Sequence, residues 1–472
     1  MRTLAFALVL GFTGDLLLRA TPWGINAPLW MLLFIGGAVW LLRSVSVAGA
    51  AGAMLVACGL AWRDSSALAT LDVLLLLFFL GFVTLRARGV SEWSTGILRA
   101  ALGLLYSAIL SVAGVFQLLF FDIQWRELQP GRHARRALIV LRGLAIAFPL
   151  LIIFLALLTS ADAAFASIVK EIFQIDIDEL ISHIVLTIFI ACATAGILRS
   201  ASHTVELHDP PRPSFLHLDS AETSVAIASI DVLFAGFVAV QFRYFFGGAT
   251  LVKVAPKLTY ADYARRGFFE LVTVAAIVLP VLLIADWLIT NRTPLFRALS
   301  LAQVLLVFVM LVSAYRRMSL YVDEFGLTEL RVYTTAFMFL LAALLAWFVL
   351  TVLTGHRDRF FIGAIASGLI VVIALHVVNP DDVIVRTNME RAAAGKRALD
   401  TNYPTQLSMD AVPALMPIAA QPCVAHHLLT IDRRSNAGDW RSWNASRAEA
   451  HGLIDARRRE LQEAAKNCRK DC

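Results

Sequence analysis

Apolar residues run along the chain in long blocks, separated by short polar breaks. The blocks cover 3–19, 25–42, 46–62, 67–85, 100–121, 137–159, 180–198, 222–246, 267–289, 298–315, 328–353 and 360–379. A helix rises about 1.5 Å per residue, so about 20 apolar residues cross a hydrocarbon core. The pattern predicts about twelve transmembrane helices. Backbone amides in lipid have no water to bond, so each block has to satisfy its own as a helix. The strict alternation of a membrane β-barrel is missing. The second and third blocks are separated by little more than Arg43 and Ser44, which makes a tight hairpin. The first block holds Asp15 and is followed by no small-residue cleavage site, so it reads as a retained helix.

Two stretches break this rhythm. Residues 160–179 place Phe165, Ile168, Val169, Ile172 and Phe173 at helical spacing, as in a short amphipathic helix lying in the membrane interface. Beyond Asn379-Pro380 the long blocks stop. Between Asp381 and Cys472 there are 14 Lys and Arg against 12 Asp and Glu. Ser408 caps a helix that carries Ala411, Val412, Leu415 and Met416, and Ser446 with Glu449 forms a capping box for a last helix reaching Leu461. The expected organisation is all-α: a polytopic transmembrane helix bundle over residues 1–379 and a small soluble α-helical tail over 380–472.

Composition agrees. Of 472 residues, 59% are hydrophobic and 16% are charged, against about 25% charged in soluble proteins. The net charge of +6 is spread over loops and tail, with no basic run interleaved with stacking aromatics, which argues against nucleic acid and for membrane lipid as the partner. Arg126, Arg132, Arg135 and Arg136 pull their connection to the cytoplasmic side, whereas the next one carries Glu171, Asp176, Asp178 and Glu179. Other connections vote the opposite way. The lean is an extracytoplasmic face shared by 160–179, 247–266, 316–331 and the tail. There Cys423 has Cys468 or Cys472 as a disulfide partner, or none. Cys58 and Cys192 read as inert core thiols. No metal-ligand spacing, nucleotide loop or catalytic elbow is present, so no cofactor is expected.

An ionisable group inside a span is costly and marks a candidate site. Asp231 lies deep in the eighth block, and Arg243 follows on the same helix. The two are about 18 Å apart along it, too far to pair. Asp231 therefore reads as a proton or cation site, or as a structural contact with another helix. Asp15 reads as a partner of Arg19, and His183 and His376 as hydrogen-bonded helix contacts. A second candidate lies at the interface: Tyr260, Asp262, Arg265, Arg266, Arg316, Arg317, Tyr321, Glu324, Arg331 and Asp381. Arginine forks and tyrosine hydroxyls suit headgroups or anionic substrates, and equally suit plain anchoring and mutual salt bridging.

The strings TYADYARRGFFEL (259–271), YRRMSLYVDEFGLTELRVY (315–333) and NPDDVIVRTNMERA (379–392) carry a resemblance. With the Ser160-Ala161-Asp162 connection and the segment from Leu399 to Pro413, they resemble bacterial multi-pass membrane proteins of the DUF4173 family, related to DUF4153. The resemblance covers roughly residues 60–450 and departs at Pro404, where the family pattern has Leu. It implies a bacterial inner-membrane protein and brings no activity with it. The readings left open are a transporter or lipid-handling permease, a non-enzymatic scaffold or sensor whose tail binds a protein partner, and a membrane enzyme using Asp262 or Glu324 as base.

Overall fold

The computed structural model describes residues 2–42, 44–84, 86, 97–122, scattered positions within 143–165, 177–202, 219–246, 268–289, 291–395, 403–435, 438–466 and 468. Among the described residues there are helices and turns and no β-strand. Among the described residues, seven helices are long and apolar enough to cross a membrane: Ser66–Val83, Glu179–Ser202, Ser220–Gln241, Phe268–Leu288, Pro294–Phe325, Glu329–Thr351 and Arg357–Val378. Shorter apolar helices include Asn26–Leu41 and Val47–Trp62. The protein is a multi-pass membrane protein. Large apolar side chains such as Phe12, Phe189, Val232, Leu305, Leu330 and Ile370 stand exposed. Lipid, not water, suits such a surface. Most of the expected span at 137–159 and of the interfacial segment at 160–179 lies outside the described residues.

The chain forms two compact units. The first comprises Met1–Met54, Leu77–Gly89 and Leu104–Glu206; the second comprises Leu55–Leu76, Val90–Gly103 and Leu207–Cys472.

In the first unit, α1 (Arg2–Leu18) packs against α2 (Asn26–Leu41) and α6 (Ile177–Ser202). α5 (Ile97–Gln117) meets α6 through small residues: a Cβ on Gly196 would stand only 1.8 Å from the Ser111 carbonyl oxygen. Such contacts let helix backbones approach closely where no hydrophobic drive separates helix from lipid. Asp15 pairs with Arg19 as expected, at 3.0 Å, and also receives His183 Nδ1 at 2.5 Å. Arg199 holds Asp122 and Gln117 at the end of α5.

Helices α3 (Val47–Trp62) and α4 (Ser66–Val83) contribute residues to both units. The second unit continues with α7 (Ser220–Phe246), α8 (Phe268–Leu288), α9 (Pro294–Phe325), α10 (Glu329–Thr351) and α11 (Phe360–Val378). α9 packs on α7, α8 and α10, and α10 packs on α11. Their core includes Ile227, Leu282, Phe296, Val307, Leu345 and Phe348. Thr293 caps α9 by accepting from the Phe296 amide, and Pro294 starts it, where its missing N–H costs nothing. At 32 residues, α9 is about 48 Å long and overreaches a hydrocarbon core of about 30 Å, so its last turns, with Arg316 to Glu324, extend past the apolar layer.

The tail follows Asn379, whose left-handed conformation (φ 55°) ends α11 and whose side chain accepts from the Asp382 amide to start α12 (Pro380–Ala393). Among the described residues it continues with three longer helices, α13 (Pro422–Ser435), α14 (Ala445–Ala456) and α15 (Arg458–Ala465). Ser408 caps as expected, but it opens a 3-10 turn, Met409–Ala411, before the short helical stretch Val412–Leu415. Ala411, Val412, Leu415 and Met416 are buried with Leu428, Ile454 and Leu461. The expected capping box at Ser446 is displaced by two residues. Asn444 is the cap, accepting from the Arg447 amide, because its extended backbone aims the amide oxygen at the first turn. The last helix also breaks at Arg457 before α15 resumes.

Candidate functional site

The three-residue turn between α3 and α4, Arg63-Asp64-Ser65, gathers polar side chains from the tail. Helix ends leave backbone groups without intrahelical partners. Asn444 serves two of them at once: its Nδ2 donates to the carbonyls of Leu60 and Arg63 at the end of α3, each at 2.9 Å, while its Oδ1 caps α14. Asp410 Oδ2 accepts from the amides of Asp64 (2.9 Å) and Ser65 (2.8 Å) just before α4. Asn379 repeats the device, donating to the Asp410 carbonyl while capping α12. The tail is thus built into the helix ends of this unit.

Ion pairs reinforce the junction. Arg447 Nη1 lies 3.0 Å from Asp64 Oδ1, and its Nη2 donates to the Ser442 carbonyl. Burial pushes the Asp64 carboxyl up, against the pull of Arg447 and with the help of Asp410. Burial also pushes the Arg447 guanidinium down, against Asp64 and Asp410. Desolvation exceeds attraction for both partners, so the pair selects geometry more than it adds stability. Asp381, fully buried, accepts from the Ser408 hydroxyl at 2.5 Å and from its amide at 3.1 Å. Burial raises its carboxyl to about 6; the Ser408 bonds oppose this, and the charges of Asp410 and Glu329 add to it. Tyr333 from α10 reaches the same turn, 3.3 Å from Ser65 Oγ.

Below the turn lies a pair buried between two spans. His376 Nε2 of α11 is 3.0 Å from Asp72 Oδ2 of α4, and His376 Nδ1 is 2.9 Å from the Val372 carbonyl oxygen. Gly59 of α3 faces both: a Cβ there would stand 2.5 Å from His376 Nε2 and 3.0 Å from Asp72 Oδ2. Arg63 links this pair to the tail, donating from Nε to the His376 carbonyl (2.7 Å) and from Nη1 to Ser446 Oγ (3.4 Å).

The sequence candidates sit elsewhere in this unit. Asp231 is buried on α7, and neither carboxyl oxygen has a hydrogen-bond partner among the described residues. The next two residues, Val232 and Leu233, are exposed. The side chain of Arg243 and all of Tyr260, Asp262, Arg265 and Arg266 lie outside the described residues. Two of the three interfacial strings do meet. The Arg331 guanidinium lies 4.2 Å over the Tyr321 ring and donates to the Gly326 carbonyl. Asn388 Nδ2 donates to the Leu327 carbonyl and its Oδ1 accepts the Leu327 amide, while Arg391 donates to the Asp323 carbonyl. Arg316 and Glu324 are exposed, Arg317 is half-buried, and Asp381 belongs to the tail junction instead. Cys423 is disulfide-bonded. Cys468 stands outside that bond, which corrects the expected Cys423–Cys468 pairing, and Cys472 lies outside the described residues. Sequence reasoning missed Asp72, although an acid inside an apolar block was the signal, and missed the roles of Asp64, Asp410, Asn444 and Arg447, which carry no local signal.

A family model described as a domain of unknown function, DUF4153, matches residues 50–418. The chain belongs to the DUF4153 family. This is the relative of the DUF4173 family named beside it on the motifs. Neither a curated protein nor a solved structure matches the chain. The matched region of this DUF4153 protein takes in the 63–65 turn, Asp72, Asp231, His376 and Asp410, and stops short of Asn444 and Arg447.

Proposed function

We propose that this DUF4153 protein is a permease of the bacterial inner membrane, moving a solute or a lipid together with a proton or cation carried on Asp231. The supporting observation is the Asp231 carboxyl itself: buried along a span, with both oxygens unpartnered among the described residues. A carboxylate without a partner in a low-dielectric layer is far costlier than a protonated or ion-bound one. A purely structural acid would be expected to show the helix contact that stabilises it. The disulfide at Cys423 supports an extracytoplasmic tail, because such bonds persist in oxidising compartments.

The test is proton uptake by proteoliposomes containing an entrapped pH-sensitive dye. The wild type should acidify the lumen under an imposed inward proton gradient, and Asp231→Asn, reconstituted to the same amount, should not. Equal rates would remove the ion-site reading.

A scaffold or sensor is the second reading. It is favoured by Trp440 and Trp443, which stand exposed on the tail beside the cap Asn444 and offer a protein partner a surface. Under that reading, deleting residues 400–472 abolishes the cellular phenotype while Asp231→Asn does not.

A further inference from the structure

We infer that the Asp72–His376 pair is a second proton-binding site, distinct from Asp231, holding one exchangeable proton between α4 and α11. Both ring nitrogens of His376 face oxygens, the Val372 carbonyl at 2.9 Å and the Asp72 carboxyl at 3.0 Å. A neutral imidazole carries one N–H, so beside an ionised Asp72 one nitrogen lone pair would be aimed at an oxygen lone pair. Two arrangements remove the clash. Either His376 carries both hydrogens against an Asp72 carboxylate, or Nδ1–H donates to Val372 while a protonated Asp72 donates to Nε2. Both hold one proton more than neutral histidine plus carboxylate, and in both the pair has no net charge.

The surroundings favour that loaded form. Asp72 is 1% exposed and His376 is 4% exposed. Losing the proton to water would leave a buried negative charge, with Asp72 Oδ1 lacking a hydrogen-bond partner among the described residues. The charged group facing the pair from the turn after α3 is Arg63, which already donates to the His376 carbonyl and to Ser446 Oγ of the tail. Discharge of the pair therefore draws Arg63 towards Asp72 and away from Ser446, which connects proton occupancy to the tail junction. Two other histidines contact aspartates without this constraint. His183 beside Asp15 has a 41% exposed side chain, open to water as a donor. His451 beside Asp432 has Ser435 Oγ, a hydroxyl able to donate, 3.4 Å from its other nitrogen.

The experiment is solid-state NMR of the full chain in lipid bilayers with nitrogen-15 histidine. The His376 signal is assigned by its loss in His376→Gln, among the 10 histidines. At about pH 8, above the ordinary imidazole range, His376 should still show either two N–H signals or a strongly hydrogen-bonded Nε2. Asp72→Asn should abolish that signature, leaving an ordinary neutral imidazole. Asp231→Asn should leave it intact, which separates this inference from the permease reading. An ordinary neutral His376 in the wild type at that pH would overturn the inference, and the wild-type spectrum decides it even where Asp72→Asn fails to accumulate.

Discussion

Two aspartates of the second unit occupy membrane spans under opposite conditions. Asp72 has an imidazole at 3.0 Å, Gly59 of α3 closes against the pair, and Arg63 donates to the carbonyl of the same histidine. Asp231 is buried on α7 with no partner for either oxygen among the described residues, beside residues exposed to lipid. The same side chain at similar burial therefore does different work. Asp72 has its protonation fixed by a neighbour, and its removal leaves another buried polar group orphaned. Asp231 leaves nothing orphaned when it is replaced by an uncharged isostere, so its cost to stability is small and its value lies in what it binds.

That contrast can be broken most severely from the tail side. Arg447→Ala leaves the half-buried Asp64 without its cation, with only the Met409 amide donating to its side chain among the described residues, and is expected to cost about 3 kcal/mol, read as a lower unfolding midpoint in detergent and faster proteolysis of the tail. Asp381 gives a pH window. Its carboxyl rises from 3.8 to about 6 on folding, so the folded state holds the proton more tightly than the unfolded chain. The stability this contributes is full below about pH 4 and is lost as pH rises through about 6, by at most about 3 kcal/mol. Asp381→Asn should flatten that part of the stability profile; an unchanged slope would show that Asp381 does not titrate there. Asp72→Ala should cost about 1–3 kcal/mol by orphaning His376 Nε2. Asp231→Asn sits at the small end, within about 1 kcal/mol of wild type, with normal membrane abundance on a quantitative blot. A large loss there would make Asp231 a structural contact and erase the distinction between the two acids.

Several of these features were legible beforehand. Asp231 stood out because an acid amid Ile230, Val232 and Leu233 breaks an apolar run, and the Asp15–Arg19 pair followed from i, i+4 spacing. Asp72 was equally visible and passed over, and His376 looked like an isolated imidazole because its partner lies 304 residues away. The cap at Asn444 was misread as Ser446 because propensity ranks both residues as good caps; the choice between them fell to Leu60 and Arg63, whose carbonyls needed a donor that asparagine has and serine would supply less well.

The sequence by itself determined the solvent and the backbone. Long apolar blocks demand lipid, and lipid demands helices, because each segment has to satisfy its own amides; the change of composition after Asn379 likewise announced a polar tail. Only the tertiary structure decided that this tail closes the ends of α3 and α4, and that an aspartate and a histidine from distant spans lie 3.0 Å apart. Those outcomes depend on which helix ends are left with unpaired backbone groups, and on which buried charges come within hydrogen-bonding distance. Both are properties of packing between remote segments, and local pattern carries no record of them.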